Sequence, residues 1–130
     1  MTAYVDTNVF VRHLTGDPPA SARRATAFLS RAEELVLADL IVAEIVYVLE
    51  SVYKLSPVET ALRVRAILGF PSVVTVDKAR LLRAVNLYET ARLHFAEAYL
   101  VACAEASGVG SVASFDRSID RVVTVQRVEP

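Results

Sequence analysis

This chain has one cysteine, one methionine, no tryptophan and only four glycines. A lone Cys103 excludes an internal disulfide and fits a reducing compartment. Lying in the apolar run from Tyr99 to Ala104, it reads as a buried bystander and not as a nucleophile. Long apolar stretches are also missing. The nearest to the ~20 residues of a membrane span is Leu37 to Leu49, which Asp39 and Glu44 interrupt. No basic stretch leads into an apolar one at Met1-Thr2-Ala3-Tyr4, so no secretory signal and a cytoplasmic location are expected. The net charge of −1 excludes binding of nucleic acid by bulk attraction. His13 and His94 lie too far from any second zinc-type ligand in sequence to signal structural zinc.

What is present is apolar and arginine-rich. Hydrophobic residues make up 54% of 130 residues, and one domain of this length buries roughly two-thirds of its unfolded surface. Twelve of the 14 basic residues are arginines, which suit bidentate phosphate contacts but also serve as solvated helix faces. Patterning predicts short strands at Ala3–Val5, Val36–Ala38, Val73–Val76, Ser111–Ser114 and Val122–Val125. Helices are predicted between them: Val9–Leu14, Ala20–Ala32, Leu40–Tyr53 capped by Asp39, a helix from Pro57 to Gly69, a helix after Asp77 to Ala91, and Phe95–Ser107. Ser56-Pro57-Val58-Glu59 is a strong helix start, with a Ser cap, Pro at the first position and Glu at the third. Strands alternating with helices imply a single α/β domain over residues 1–130, with a mostly parallel sheet.

Most of the 15 acidic residues read as caps or solvated positions. Four do not. Asp6 and Asp116 each follow a predicted strand, the position at which open parallel sheets build ligand sites; a helix cap for Asp6 and a turn for Asp116 are the simpler alternatives. If their two strands are neighbours, the strand ends lie only ~4.8 Å apart. Glu44 stands among apolar residues in Leu40-Ile41-Val42-Ala43-Glu44-Ile45-Val46-Tyr47. A carboxylate on a buried helix needs a partner, and a solvated stripe is the alternative. Glu97 repeats the pattern in Phe95-Ala96-Glu97-Ala98-Tyr99, or else closes a capping box with His94.

Gathered in one pocket, four carboxylates would repel strongly. Two unit charges ~6 Å apart cost about 3 kcal/mol at an effective dielectric of 20, and four such groups make six pairs. Full ionisation would then cost on the order of 10 kcal/mol, comparable to the stability of a whole domain. Such a pocket must hold a cation or take up protons. Oxygen-only ligands select a hard ion, Mg²⁺ or Mn²⁺.

Together these segments resemble the VapC-type PIN domains. The carriers are Val5-Asp6-Thr7-Asn8-Val9-Phe10, Asp39 to Leu49, Phe95 to Ala102 and Ser114-Phe115-Asp116-Arg117, spread in order over nearly the whole chain. The resemblance implies a three-layer α/β/α sandwich around a parallel sheet, and an Mg²⁺- or Mn²⁺-dependent endonuclease cutting RNA to a 5′-phosphate and a 3′-hydroxyl. It also implies a VapB-like antitoxin in the active-site groove and a homodimer. Carried over by position, Asp6, Glu44, Glu97 and Asp116 form the acidic set, with Asp6 and Glu97 as direct ligands. Thr7, Asn8 and Ser114 are polar neighbours, and Arg12 and Arg117 are candidates for the substrate backbone. Two positions depart from the family's pattern: Glu97 stands where Asp is usual, and His94 where an acid is usual. The extra methylene of Glu97 favours weaker Mg²⁺ binding or a preference for Mn²⁺.

Two competing readings follow. A weak PIN module would bind RNA or an antitoxin without cutting. An aspartyl-phosphate protein is disfavoured: Asn8 occupies the place of the second Asp that such phosphatases need, and Lys54 and Lys78 are misplaced for a receiver domain.

Overall fold

The computed structural model describes residues 2–31 and 33–130. They form two compact units, Met1–Lys78 and Ala79–Pro130. In the first, β1 (Thr2–Tyr4), α1 (Thr7–Thr15), α2 (Pro19–Arg31), β2 (Glu34–Val36), α3 (Asp39–Ser51), α4 (Pro57–Leu68) and β3 (Val73–Val74) follow in order. Its sheet has strand order β1-β2-β3, all parallel, with Thr2 opposite Glu34 and Leu35 opposite Val73. Parallel neighbours need crossovers, which the helices supply.

The second unit contains α5 (Lys78–Thr90), α6 (Phe95–Ser107), β4 (Ser111–Ala113), a 3-10 helix (Arg117–Arg121) and β5 (Gln126–Val128). Here β4 pairs with β5 in parallel, Val112 opposite Arg127. Mixed α/β architecture with parallel strands is therefore present, as patterning implied. Each ladder lies within its own unit: the hydrogen-bonded neighbour of β1 is β2, and that of β4 is β5.

Local chemistry explains most boundaries. The Ser56 hydroxyl accepts from the Glu59 N–H at 3.2 Å, with Pro57 at the first helical position, as the sequence predicts. α1 ends where Gly16 enters the left-handed region at φ 71° and its N–H donates to the Arg12 carbonyl. A side chain there would meet a Cβ penalty that glycine avoids. Buried positions on α3 are Val42, Ile45, Val46 and Leu49, one stripe of a 3.6-residue repeat. Each fully buried Leu, Ile or Phe contributes roughly 1.5–3 kcal/mol, and Phe10, Leu29, Leu35, Ile45 and Leu49 are all of this kind.

Several expected boundaries are corrected. β2 lies two residues earlier than predicted, although Leu37 N–H still reaches the Val74 carbonyl at 2.9 Å. β3 is shortened to two residues, and Val76 is 88% exposed. Asp39 is the first residue of α3 instead of its cap; Ala38 holds the cap position without a side-chain bond. The β-branched run Val122–Val125 is not a strand. The 3-10 helix continues to Arg121, and pairing with β4 begins only at Gln126. No described helix is long and apolar enough to cross a membrane.

Candidate active site

Asp6 and Glu44 stand in the first unit. Val5 N–H extends the β1 ladder to the Val36 carbonyl at 3.1 Å. Asp6 therefore leaves the carboxyl end of β1 beside the end of β2, the edge where parallel sheets gather ligands. Asp6 is also the α1 cap: its Oδ1 accepts the Thr7 N–H at 2.7 Å. The two roles are compatible, because an ionised carboxylate offers about four lone-pair sites and Asp6 is otherwise exposed. Thr7 is buried, and its hydroxyl has no hydrogen-bond partner. Asn8 and Arg12 are exposed one turn apart on α1.

Glu44 does not occupy the enclosed apolar surroundings that its sequence neighbours suggested. It is exposed, on a stripe of α3 shared by Leu40, 78% exposed, and Tyr47, 66% exposed. Apolar composition around a helix does not reveal which side is covered, and here the covered side is that of Val42 and Ile45. Glu44 lies five residues into the helix, about 7.5 Å along the axis from Asp39 at 1.5 Å per residue.

Glu97 and Asp116 stand in the second unit. Glu97 is the third residue of α6. His94 is the cap residue but makes no side-chain cap bond, and Glu97 Oε2 is buried with no hydrogen-bond partner. The capping box therefore does not account for this carboxylate. Asp116 caps the 3-10 helix, its Oδ1 accepting the Ser118 N–H at 2.9 Å, and its own N–H donates to the Ser114 hydroxyl at 2.9 Å. Ser118, through its hydroxyl and its N–H, holds the Asp116 carboxyl below the usual carboxylate value; the charges of His94 and Arg121 act in the same direction. Of the two Ser118 groups, the N–H carries more weight, since the hydroxyl forms no complete hydrogen bond. His94 thus lies within electrostatic reach of Asp116, which relates the start of α6 to the end of β4. Arg127 braces the same turn: its side chain, 11% exposed, donates to the Ser114 carbonyl at 2.9 Å and pairs with Asp120 at 3.0 Å. Arg117 is exposed at the start of the 3-10 helix.

Among the described residues, no three His, Cys, Asp or Glu side chains are grouped to hold a metal ion. Mg²⁺ is commonly held by one or two carboxylates, with waters and substrate phosphate completing its shell. The buried, unpartnered oxygen of Glu97 fits such a hard cation, and among the described residues no preformed cage of three or more such ligands is found.

Sequence reasoning missed two kinds of residue. Ser118 and Arg127 position Asp116, and no local pattern marks them. Arg24 and Arg31, by contrast, line a cavity of about 360 Å³ between α1 and α2 together with Arg12. The helical spacing Ser21, Arg24, Phe28, Arg31 was a readable signal for that face.

No curated protein matches the chain. Among solved structures, the crystal structure of VapBC2 from Rickettsia felis bound to a DNA fragment from their promoter aligns over 99% of this chain and 98% of that chain. The identity is 11% and the TM-score 0.39. The family model described as "PIN domain" matches residues 3–124. A match spanning both units and every candidate carboxylate places the chain in the PIN-domain family.

Proposed function

We propose that this protein is a metal-dependent endoribonuclease, the toxin of a type II toxin–antitoxin pair, with Asp6, Glu44, Glu97 and Asp116 as its acidic set. PIN domains are generally nucleases that use divalent metal ions, which supports the class of reaction. The observation that carries the reading is the buried, unpartnered Oε2 of Glu97. A carboxylate oxygen shut off from water without a partner is disfavoured, and a cation relieves it. Glu97 and Asp6 would hold Mg²⁺ or Mn²⁺ directly, and Glu44 and Asp116 would act around it. When bound, the ion would supply positive charge to activate water and offset charge on the phosphoryl group.

The residues of the chain do the rest. Ser118 holds the Asp116 carboxyl below its ordinary value, and the α1 cap fixes Asp6 at the sheet edge. Asn8, Arg12 and Arg117 offer donors to phosphate oxygens, while Thr7 and Ser114 stand beside the carboxylates. The resemblance to VapC-type domains further supports a VapB-like antitoxin that covers the site, and a homodimer. Co-expression with a VapB-like antitoxin, followed by mass measurement of the purified assembly, tests both.

Thermal unfolding with and without Mn²⁺ tests the metal. The protein should gain stability on titration, and Glu97→Gln should abolish most of the gain. A wild-type protein that gains none would overturn the metal-dependent reading. That outcome would favour an RNA- or antitoxin-binding module that does not cut, a reading motivated by Glu97 and His94, the two departures from the family's pattern.

A further inference from the structure

The cavity between α1 and α2 belongs to the first unit alone. It is lined by Asn8 and Arg12 from α1 and by Ser21, Arg24, Phe28 and Arg31 from α2. On α2 these four fall at i, i+3, i+7 and i+10, a single stripe of the helix. Gly16-Asp17-Pro18 joins the two helices, and such a short connection sets them as neighbours in a hairpin.

The charge of this face is one-sided. Arg12, Arg24 and Arg31 are exposed, no acidic side chain lines the cavity, and none of the three arginines enters an ion pair among the described residues. Two arginines of the second unit differ. Arg83 is engaged bidentately by Glu105, at 2.8 and 2.9 Å, and Arg127 is engaged by Asp120 and Glu129. On a protein of net charge −1, three unneutralised guanidinium groups around one cavity are a local anion site.

We infer that this groove binds the sugar–phosphate backbone of single-stranded RNA, leading the strand toward Asp6; the second half of this inference rests on the nuclease reading above. Three features select a phosphodiester chain over an acidic peptide. Guanidinium forks match phosphate oxygens bidentately. Asn8 and Ser21 add the neutral donors that phosphate contacts commonly use. Phe28, half-buried in the same stripe, offers an aromatic face on which an unstacked base can rest. Continuity with the candidate site is covalent: Asn8 and Arg12 belong to the helix that Asp6 caps. Arg24 and Arg31 are seven residues apart, about 10 Å along α2, so the groove contacts several phosphates rather than one.

The test measures binding separately from cleavage. A labelled single-stranded RNA oligonucleotide is titrated in chelator by fluorescence anisotropy, at salt concentrations from about 50 to 200 mM. The affinity of wild-type protein should fall steeply with salt. R24E/R31E should bind at least roughly tenfold more weakly at low salt. Its log–log salt slope should be shallower by about 1.4, two phosphates at ~0.7 each for single strands. R24K/R31K keeps both charges and should keep the wild-type slope, which separates charge from damage to the fold. An unchanged slope in R24E/R31E, or no RNA binding by wild-type protein, overturns the groove. A glutamate decapeptide that binds through these arginines when RNA does not would overturn the RNA assignment. Mn²⁺-dependent cleavage is measured on the same preparations. Wild-type protein that binds but does not cut leaves the groove standing and removes the nuclease reading, while wild-type protein that cuts with an arginine-independent slope does the reverse.

Discussion

Two helices of this protein begin beside a candidate carboxylate, and they treat it differently. At the start of α1, Asp6 spends one oxygen on the Thr7 N–H and leaves the rest of the group in solvent. At the start of α6, His94 contributes no side-chain cap, and Glu97 keeps an oxygen buried with nothing bonded to it. The first arrangement is stable as it stands. The second leaves one carboxyl oxygen without a partner in the fold. An exposed carboxylate thus caps its helix and keeps lone pairs free, whereas the half-buried one leaves an oxygen unused by its own helix.

The sharpest way to break this comparison is Asp6→Asn. Asparagine caps helices about as well as aspartate, so the fold should be retained while the charge is lost. RNA cleavage with Mn²⁺, followed by gel electrophoresis, should fall at least about a hundredfold, equivalent to ~2.7 kcal/mol of barrier. Cleavage equal to wild type would show that Asp6 is a cap and nothing more.

Asp6→Ala removes the cap as well. Denaturant unfolding should show a loss of about 1 kcal/mol, and the difference between the Ala and Asn variants isolates the cap from the charge. Glu97→Met has a smaller effect of opposite sign. Replacing an unpartnered buried oxygen by an apolar chain of similar volume should raise metal-free stability by a few tenths of a kcal/mol up to about 1. Metal-free stability that drops on this replacement would mean that Glu97 is satisfied within the fold after all.

The smallest effect concerns pH. The Asp116 carboxyl is held below its ordinary 3.8 by Ser118, His94 and Arg121. A group whose folded-state value is depressed stabilises the protein above its unfolded value, and that contribution disappears as pH falls through the folded one. Stability measured downward from pH 5 should therefore decline through the acid range, and Asp116→Asn should remove this share of the slope.

How much of this was readable depended on whether the deciding interactions were local. The start of α4 was legible because Ser56, Pro57 and Glu59 are adjacent and settle it among themselves. α6 runs from Phe95 to Ser107 and is closed by Gly108 at φ 78°, as the sequence indicated, again through neighbours. Val122–Val125 misled because strand formation there depends on register with β4, a partner distant in sequence. Glu44 misled for a related reason: periodicity locates a helix's stripes but not the side on which the rest of the protein lies. The acidic residues themselves were visible as exceptions to patterning. The bracing of Asp116 by Ser118 and Arg127 was not, because neither residue breaks any local rule.

Arg127 deserves its place in any account of Asp116. Its guanidinium holds the Ser114 carbonyl, and the Ser114 hydroxyl holds the Asp116 N–H. Aim and charge at this corner thus rest on different residues: an arginine eleven positions downstream anchors the bend, while Ser118, His94 and Arg121 lower the carboxyl's affinity for a proton. Evolution or engineering could retune either one without touching the other.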